Sequence, residues 1–154
     1  MNINKMTKYS IAAFILMSVG GYFGLSLQAK EKGPDIVVYK SPTCGCCNKW
    51  VKHLETSGFN VKAINKRNMN PVKQQFGVKK EYQSCHTAKV GKYFIEGHVP
   101  ASDIKKLLKD KSNAKGLAVP GMPMGSPGME GHRKDNYSVL LIDDHNKSKV
   151  YSQY

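Results

Sequence analysis

The chain has 154 residues, 40% of them hydrophobic and 23% charged, which suits one globular domain with a buried core. Its formal net charge of +13 is unusual, but the positive residues are spread along the sequence. No RNP-type aromatic cluster and no helix-turn-helix pattern accompanies them, so the charge reads as a solvated basic surface and argues against a nucleic-acid partner.

Lys5 and Lys8 precede an uncharged run over residues 9–29 that carries Ile11, Phe14, Ile15, Leu16, Met17 and Val19. A basic start followed by an apolar stretch reads as a secretory signal. Ala29 offers a cleavage point, so residues 1–29 are expected to be a signal peptide and residues 30–154 the exported domain. The run is long for a signal and close to the minimum for a bilayer span, so an uncleaved membrane anchor is the alternative. Either way the body of the chain is exported, and in an oxidising compartment four cysteines would by default form disulfides. A disulfide framework spaces its cysteines along the chain. Here Cys44, Cys46 and Cys47 crowd into four positions, which points to a site and not a scaffold.

Asp35, Ile36, Val37, Val38 and Tyr39 form a short β-branched strand pattern, followed by the turn Ser41-Pro42-Thr43. From Cys47 the period becomes helical, through Trp50, Val51 and Leu54 to a stop at Gly58. Residues 59–64 alternate as a second strand, which completes a βαβ unit with parallel strands. Pro71 to Phe76 suits a turn or two of helix, and the following stretch holds Cys85 and His86. Residues 91–98 read as a glycine-flanked strand. In the helix expected over residues 101–109, Ser102 serves as cap, Asp103 suits the first turn, and Ile104, Leu107 and Leu108 form the apolar face. Residues 113–131 are too rich in glycine and proline for helix or strand, and a long loop in a compact domain is usually functional. The segments 138–142 and 149–152 flank a polar turn as an antiparallel hairpin.

This order of elements looks like an α/β, thioredoxin-like fold with an insertion over about residues 65–115. Val119-Pro120 or Met122-Pro123 would then supply a cis-proline facing the C-x-x-C turn.

Thiols at a helix start are aimed at chemistry, because the helix N-terminus favours the thiolate. A structural zinc site usually pairs two C-x-x-C knuckles, and only one exists here. Thiol–disulfide exchange needs only Cys44 and Cys47 and leaves Cys46 and Cys85 unexplained. A soft-metal site uses all four thiolates, which select Cu(I) over harder ions. Met122, Met124 and Met129 lie in one Gly/Pro loop with His132 three residues beyond, and thioether and imidazole groups suit copper in an exported protein. The competing reading is a flexible methionine that fills a gap beneath the loop. His86 reads as a ligand or a neighbour of one. His98 reads as a ligand or a structural hydrogen-bonder, His53 as solvated and His145 as a turn residue.

Cys44-Gly45-Cys46-Cys47, Gly97-His98-Val99-Pro100-Ala101, Gly116-Leu117-Ala118-Val119-Pro120-Gly121-Met122-Pro123 and Gly125-Ser126-Pro127-Gly128-Met129-Glu130 resemble the CopG-type family of exported copper-resistance proteins, once catalogued as a domain of unknown function. The resemblance covers about residues 35–154. It implies a thioredoxin-like fold, a copper site on the C-x-C-C turn, and periplasmic copper tolerance alongside other copper-handling proteins. Carried over by motif, Cys44, Cys46 and Cys47 are the core ligands and Cys85 the fourth thiolate, with His86, Met122 and Met124 as the candidates to complete the shell. The expectation is a periplasmic protein that binds Cu(I), in more than one ion, and whose site lies near enough to the surface for copper-dependent oxidoreduction. Its alternatives are a thiol–disulfide oxidoreductase working through Cys44 and Cys47, and a structural zinc protein.

Overall fold

Two sets of apolar side chains on alternating strand positions give the sheet two buried faces in the computed structural model, which describes residues 33–154. The elements run β1 (Asp35–Lys40), α1 (Gly45–Thr56), β2 (Asn60–Asn65), α2 (Asn70–Gln75), a 3-10 turn (Lys80–Tyr82), β3 (Thr87–Val90), β4 (Tyr93–Glu96), α3 (Ala101–Asp110), β5 (Gly116–Ala118), β6 (Ser138–Ile142) and β7 (Ser148–Gln153). They form a mixed α/β structure around a seven-stranded sheet of order β2-β1-β3-β4-β5-β6-β7. The pairs β1–β2 and β4–β5 are parallel, and the other neighbours are antiparallel.

Period-two alternation explains the layering. Ile36 and Val38 of β1, Tyr93 and Ile95 of β4, Leu117 of β5, and Val139 and Leu141 of β6 share one core with Trp50 and Leu54 of α1 and Ile104 and Leu107 of α3. Phe94, Ala118, Leu140 and Ile142, on the intervening positions, pack with Phe76, Val78 and Tyr82 of the α2 and 3-10 region. Each fully buried Leu or Ile contributes roughly 1.5–3 kcal/mol. The first core is therefore what fixes α1, and with it the cysteine turn, against the sheet.

The parallel β1–α1–β2 unit and the terminal hairpin β6–β7 match the sequence reading. Residues 65–115, expected as an insertion between the two halves of the fold, form part of the sheet itself. They supply β3 and β4, and β3 pairs directly with β1, Val38 opposite Ala88 and Tyr39 opposite Thr87. β3 is hard to see in the sequence because it has four residues, of which Thr87 is polar yet buried and Lys89 is exposed. Gly116 to Ala118, read as loop by composition, pairs with both β4 and β6. Every peptide bond among the described residues is trans, including Val119–Pro120 and Met122–Pro123. The expected targeting segment, residues 1–29, lies outside the described residues. Among the described residues no helix is long and apolar enough to cross a membrane.

Ser102 does not cap α3. Pro100 is the N-cap residue and offers no side-chain acceptor, so the first orphan donor, the Ala101 N–H, goes to His53 Nε2 of α1 at 3.1 Å. His53 is thus half-buried and structural, not solvated. Burial holds its imidazole below the ordinary value, against a smaller opposing pull from the Glu130 carboxylate. A folded-state pKa below the unfolded value of about 6.5 means that the folded chain binds fewer protons there. The contribution is full above about pH 6.5 and is lost as pH falls below it. His86 and His98, also depressed by burial, act in the same direction. His53→Gln, which keeps an acceptor but does not titrate, should lose less stability than the wild type between about pH 7 and pH 5. His53→Ala should cost about 1 kcal/mol at neutral pH, as loss of a helix cap does. Denaturant unfolding at the two pH values checks both.

Candidate metal centre

The first turn of α1 is built by sulfur. Cys44 occupies the N-cap position in an extended conformation, and its Sγ accepts the Cys47 N–H at 3.3 Å. The Cys44 N–H itself donates to the Ser41 carbonyl at 3.2 Å. Cys44 and Cys47 are joined as a disulfide with Cα atoms 5.3 Å apart. Cys46 and Cys85 are free and half-buried, and Cys47 is fully buried.

Antiparallel pairing brings the fourth sulfur in. β1 runs into the cysteine turn, and β3 begins beside the end of β1, so the residue before β3 lies next to that turn. Cys85 Sγ stands 3.5 Å from Cys47 Sγ, and Cys46 Sγ stands 3.4 Å from Cys44 Sγ. All four sulfurs lie within 4.8 Å of one another.

Two imidazoles complete the cluster. Cys85 Sγ is 3.2 Å from His86 Nδ1 and 3.1 Å from His98 Nε2, so Cys85 belongs to a four-sulfur group and to a sulfur–imidazole–imidazole group at once. His98 Nδ1 is 2.8 Å from the Pro127 carbonyl. A carbonyl only accepts, so Nδ1 carries the proton and the Nε2 lone pair faces Cys85. His86 Nε2 is buried with no hydrogen-bond partner among the described residues. The His86 ring lies 4.3 Å from Trp50 and 4.9 Å from His98, and the Trp50 indole N–H is tied to the Val99 carbonyl at 2.9 Å.

The Gly/Pro loop closes against this turn through Gly128, whose φ is +86° and where a Cβ would meet the Cys46 carbonyl oxygen at 2.7 Å and the Trp50 nitrogen at 2.8 Å. Only glycine allows that approach. Gly97, at φ +71°, likewise leaves no room for a Cβ between Val119 and Ser84, and it turns the chain from β4 into His98.

Of the residues singled out in the sequence, the structure brings Cys44, Cys46, Cys47, Cys85 and His86 together and adds His98. Met122 is 53% exposed. Met124 is half-buried with its methyl carbon toward Gly131, and its backbone bonds Asp135 in both directions. Met129 is half-buried and His132 exposed. His145 is exposed in the β6–β7 turn, as its sequence setting suggests. His98 bonds the Pro127 carbonyl, in keeping with the structural role weighed for it, and its Nε2 stands 3.1 Å from the Cys85 sulfur. The signal for it was the pairing of a histidine with a glycine at a strand end. Trp50 as a wall against His86 had no separate signal, because its helical spacing reads as ordinary core.

Burial pushes the Cys85 thiol up to about 12, and nearby Cys46 adds to the shift. Burial holds His86 well below its ordinary value, and neighbouring His98 and Lys73 contribute in the same direction. Burial also lowers His98. At neutral pH the site therefore offers neutral imidazoles and a protonated Cys85, and a cation bound there must displace the Cys85 proton. Binding through Cys85 should tighten as pH rises. Calorimetric titration in buffers of different ionisation enthalpy should show proton release that falls by about one per chain in Cys85→Ser.

The family model described as "Protein of unknown function, DUF411" matches residues 82–129. No curated protein matches the chain. The fold is similar to the solved structure "Copper resistance protein copG- Form 2", with a TM-score of 0.76 and 44% identity over 79% of this chain and 98% of that one. It is similar to "Copper resistance protein copG- Form 1" with a TM-score of 0.75 at the same identity and coverage. That identity runs over nearly the whole length of both solved chains, and the family model takes in Cys85 and His98; the chain belongs to the copper resistance protein CopG family.

Proposed function

We propose that this chain is an exported, periplasmic copper-binding protein of copper resistance that holds Cu(I), in more than one ion, through Cys44, Cys46, Cys47 and Cys85. The observation that carries the reading is the donor set: four sulfurs within 4.8 Å, and two imidazoles that share Cys85 with them. Thiolates select Cu(I), and imidazole suits copper as well. Six donors exceed the four of a structural zinc site. A sulfur common to two groups suits a bridged, multinuclear arrangement. His86 and His98 complete the shell in this reading, and Met122 and Met124 offer softer donors on the adjoining loop. The names of the two solved relatives support a copper role. The signal-type pattern of residues 1–29 supports export. A parallel β1–α1–β2 unit, followed by an antiparallel β3–β4 pair on β1, supports a thioredoxin-like reading of the fold.

The Cys44–Cys47 disulfide sets a condition on this function. Its sulfurs become thiolate ligands only after a dithiol reductant transfers two electrons to the S–S bond, itself oxidised to a disulfide, and any protons taken up by the two thiols leave as the metal binds. The same disulfide favours a second reading, thiol–disulfide exchange on other exported proteins.

Anaerobic Cu(I) titration of the reduced protein separates the two. Copper binding predicts more than one equivalent per chain, most of it lost in Cys44→Ser with Cys47→Ser and reduced in Cys46→Ser with Cys85→Ser. Exchange predicts catalysed reduction of a disulfide substrate that survives the Cys46→Ser, Cys85→Ser change intact. Full copper stoichiometry in the Cys44→Ser, Cys47→Ser protein would sink the copper reading.

A further inference from the structure

We infer that the buried pair Lys73–Glu96 is a positioning device for the Cys85–His86 segment, an inference that rests on the copper-binding reading for its purpose but not for its geometry. The residues between the 3-10 turn and β3 belong to no helix or strand. Their backbone groups must be satisfied from elsewhere. The Gln83 N–H and carbonyl go to backbone partners, Lys80 and Gly121, and the Ser84 N–H goes to a carboxylate. Glu96, at the end of β4 and fully buried, accepts the Ser84 N–H on Oε1 at 2.7 Å and the Thr87 hydroxyl on Oε2 at 2.6 Å. Ser84 and Thr87 are the two residues that bracket Cys85 and His86. Lys73 of α2, itself buried, bonds the same Oε1 and also donates to Thr87 Oγ1 at 3.2 Å. The Gly97 N–H, next along the chain, bonds the His86 carbonyl at 3.0 Å. Both carboxylate oxygens are thus used to clamp the two ends of a four-residue segment whose middle carries a thiol and an imidazole.

Stability alone does not account for the pair. Taking two charges out of water costs as much as their attraction returns, and well-packed apolar replacements are often neutral or stabilising. What an apolar pair cannot do is accept the Ser84 N–H and the Thr87 hydroxyl together. Donor atoms shared between metal ions need placement within about 0.5 Å. Outer groups that orient ligands are typically worth 10- to 100-fold in metal affinity.

The test uses paired changes, because Lys73→Met or Glu96→Leu alone strands a buried charge. Lys73→Met with Glu96→Leu removes the clamp. Lys73→Met with Glu96→Gln removes the charges and keeps an amide that bonds both Ser84 and Thr87. Three quantities are measured on the full reduced chain: thermal stability, amide hydrogen exchange of residues 84–87 without metal, and Cu(I) affinity against a chelator. The Leu pair should keep the wild-type melting temperature or exceed it, lose exchange protection at residues 84–87 while β1 and β6 stay protected, and bind Cu(I) about 10- to 100-fold more weakly. The Gln pair should recover most of the protection and most of the affinity. Unchanged protection at 84–87 in the Leu pair overturns the proposal, and so does an affinity loss that appears only with a general loss of protection across the sheet. Should the wild type take up no Cu(I), the copper reading fails by itself, and the exchange data on the metal-free chains still decide whether the pair is a clamp.

Discussion

A single sulfur, Cys85 Sγ, holds the candidate centre together, because it alone contacts the cysteine turn on one side and both imidazoles on the other. That contact depends on the sheet. β1 ends, β3 begins and β4 ends at the same edge of the structure, since Tyr39 pairs with Thr87 and Thr87 with Glu96. β5, parallel to β4, delivers the Gly/Pro loop to that edge as well. Four connections therefore meet where α1 starts. A slip of one residue between β1 and β3 would turn Thr87 and Ala88 to opposite faces and carry Cys85 away from Cys47.

The local chemistry of the centre follows from this crowding. Cys85 sits back from the helix start among buried rings and a second thiol, and stays protonated. His86 and His98 are kept neutral for the same reason, loss of water. The metal-free centre therefore carries little charge of its own despite a strongly basic chain. Of the two buried lysines among the described residues, Lys73 is matched by Glu96 and Lys40 donates to the Asn65 side chain.

Much of this was legible in the residues. The strand–turn–helix–strand order around Cys44 stands as read, because long apolar periods and a glycine stop leave little choice. Cys85 as the fourth sulfur was legible from its motif and not from its spacing. The central placement of β3 was not legible: four residues, two of them polar, carry too weak a period to mark a strand. His53 misled because a histidine off the apolar face of its own helix gives no sign that another helix will donate to it. Glu96 and Lys73 gave no sign either, since a lone acid in a strand and a lone base in a short helix look solvated until the sheet buries both.

Trp50 is the only tryptophan in the sequence, and its ring rests 4.3 Å from His86. Its indole N–H is held by Val99 and its backbone is pressed by Gly128, so the ring has little freedom of its own. Whatever alters the electronic state of the neighbouring imidazole or sulfurs acts directly on the single strong near-ultraviolet fluorophore of the chain. The fold has in effect placed an optical gauge against the centre, one that reads the site without a label and without changing a residue.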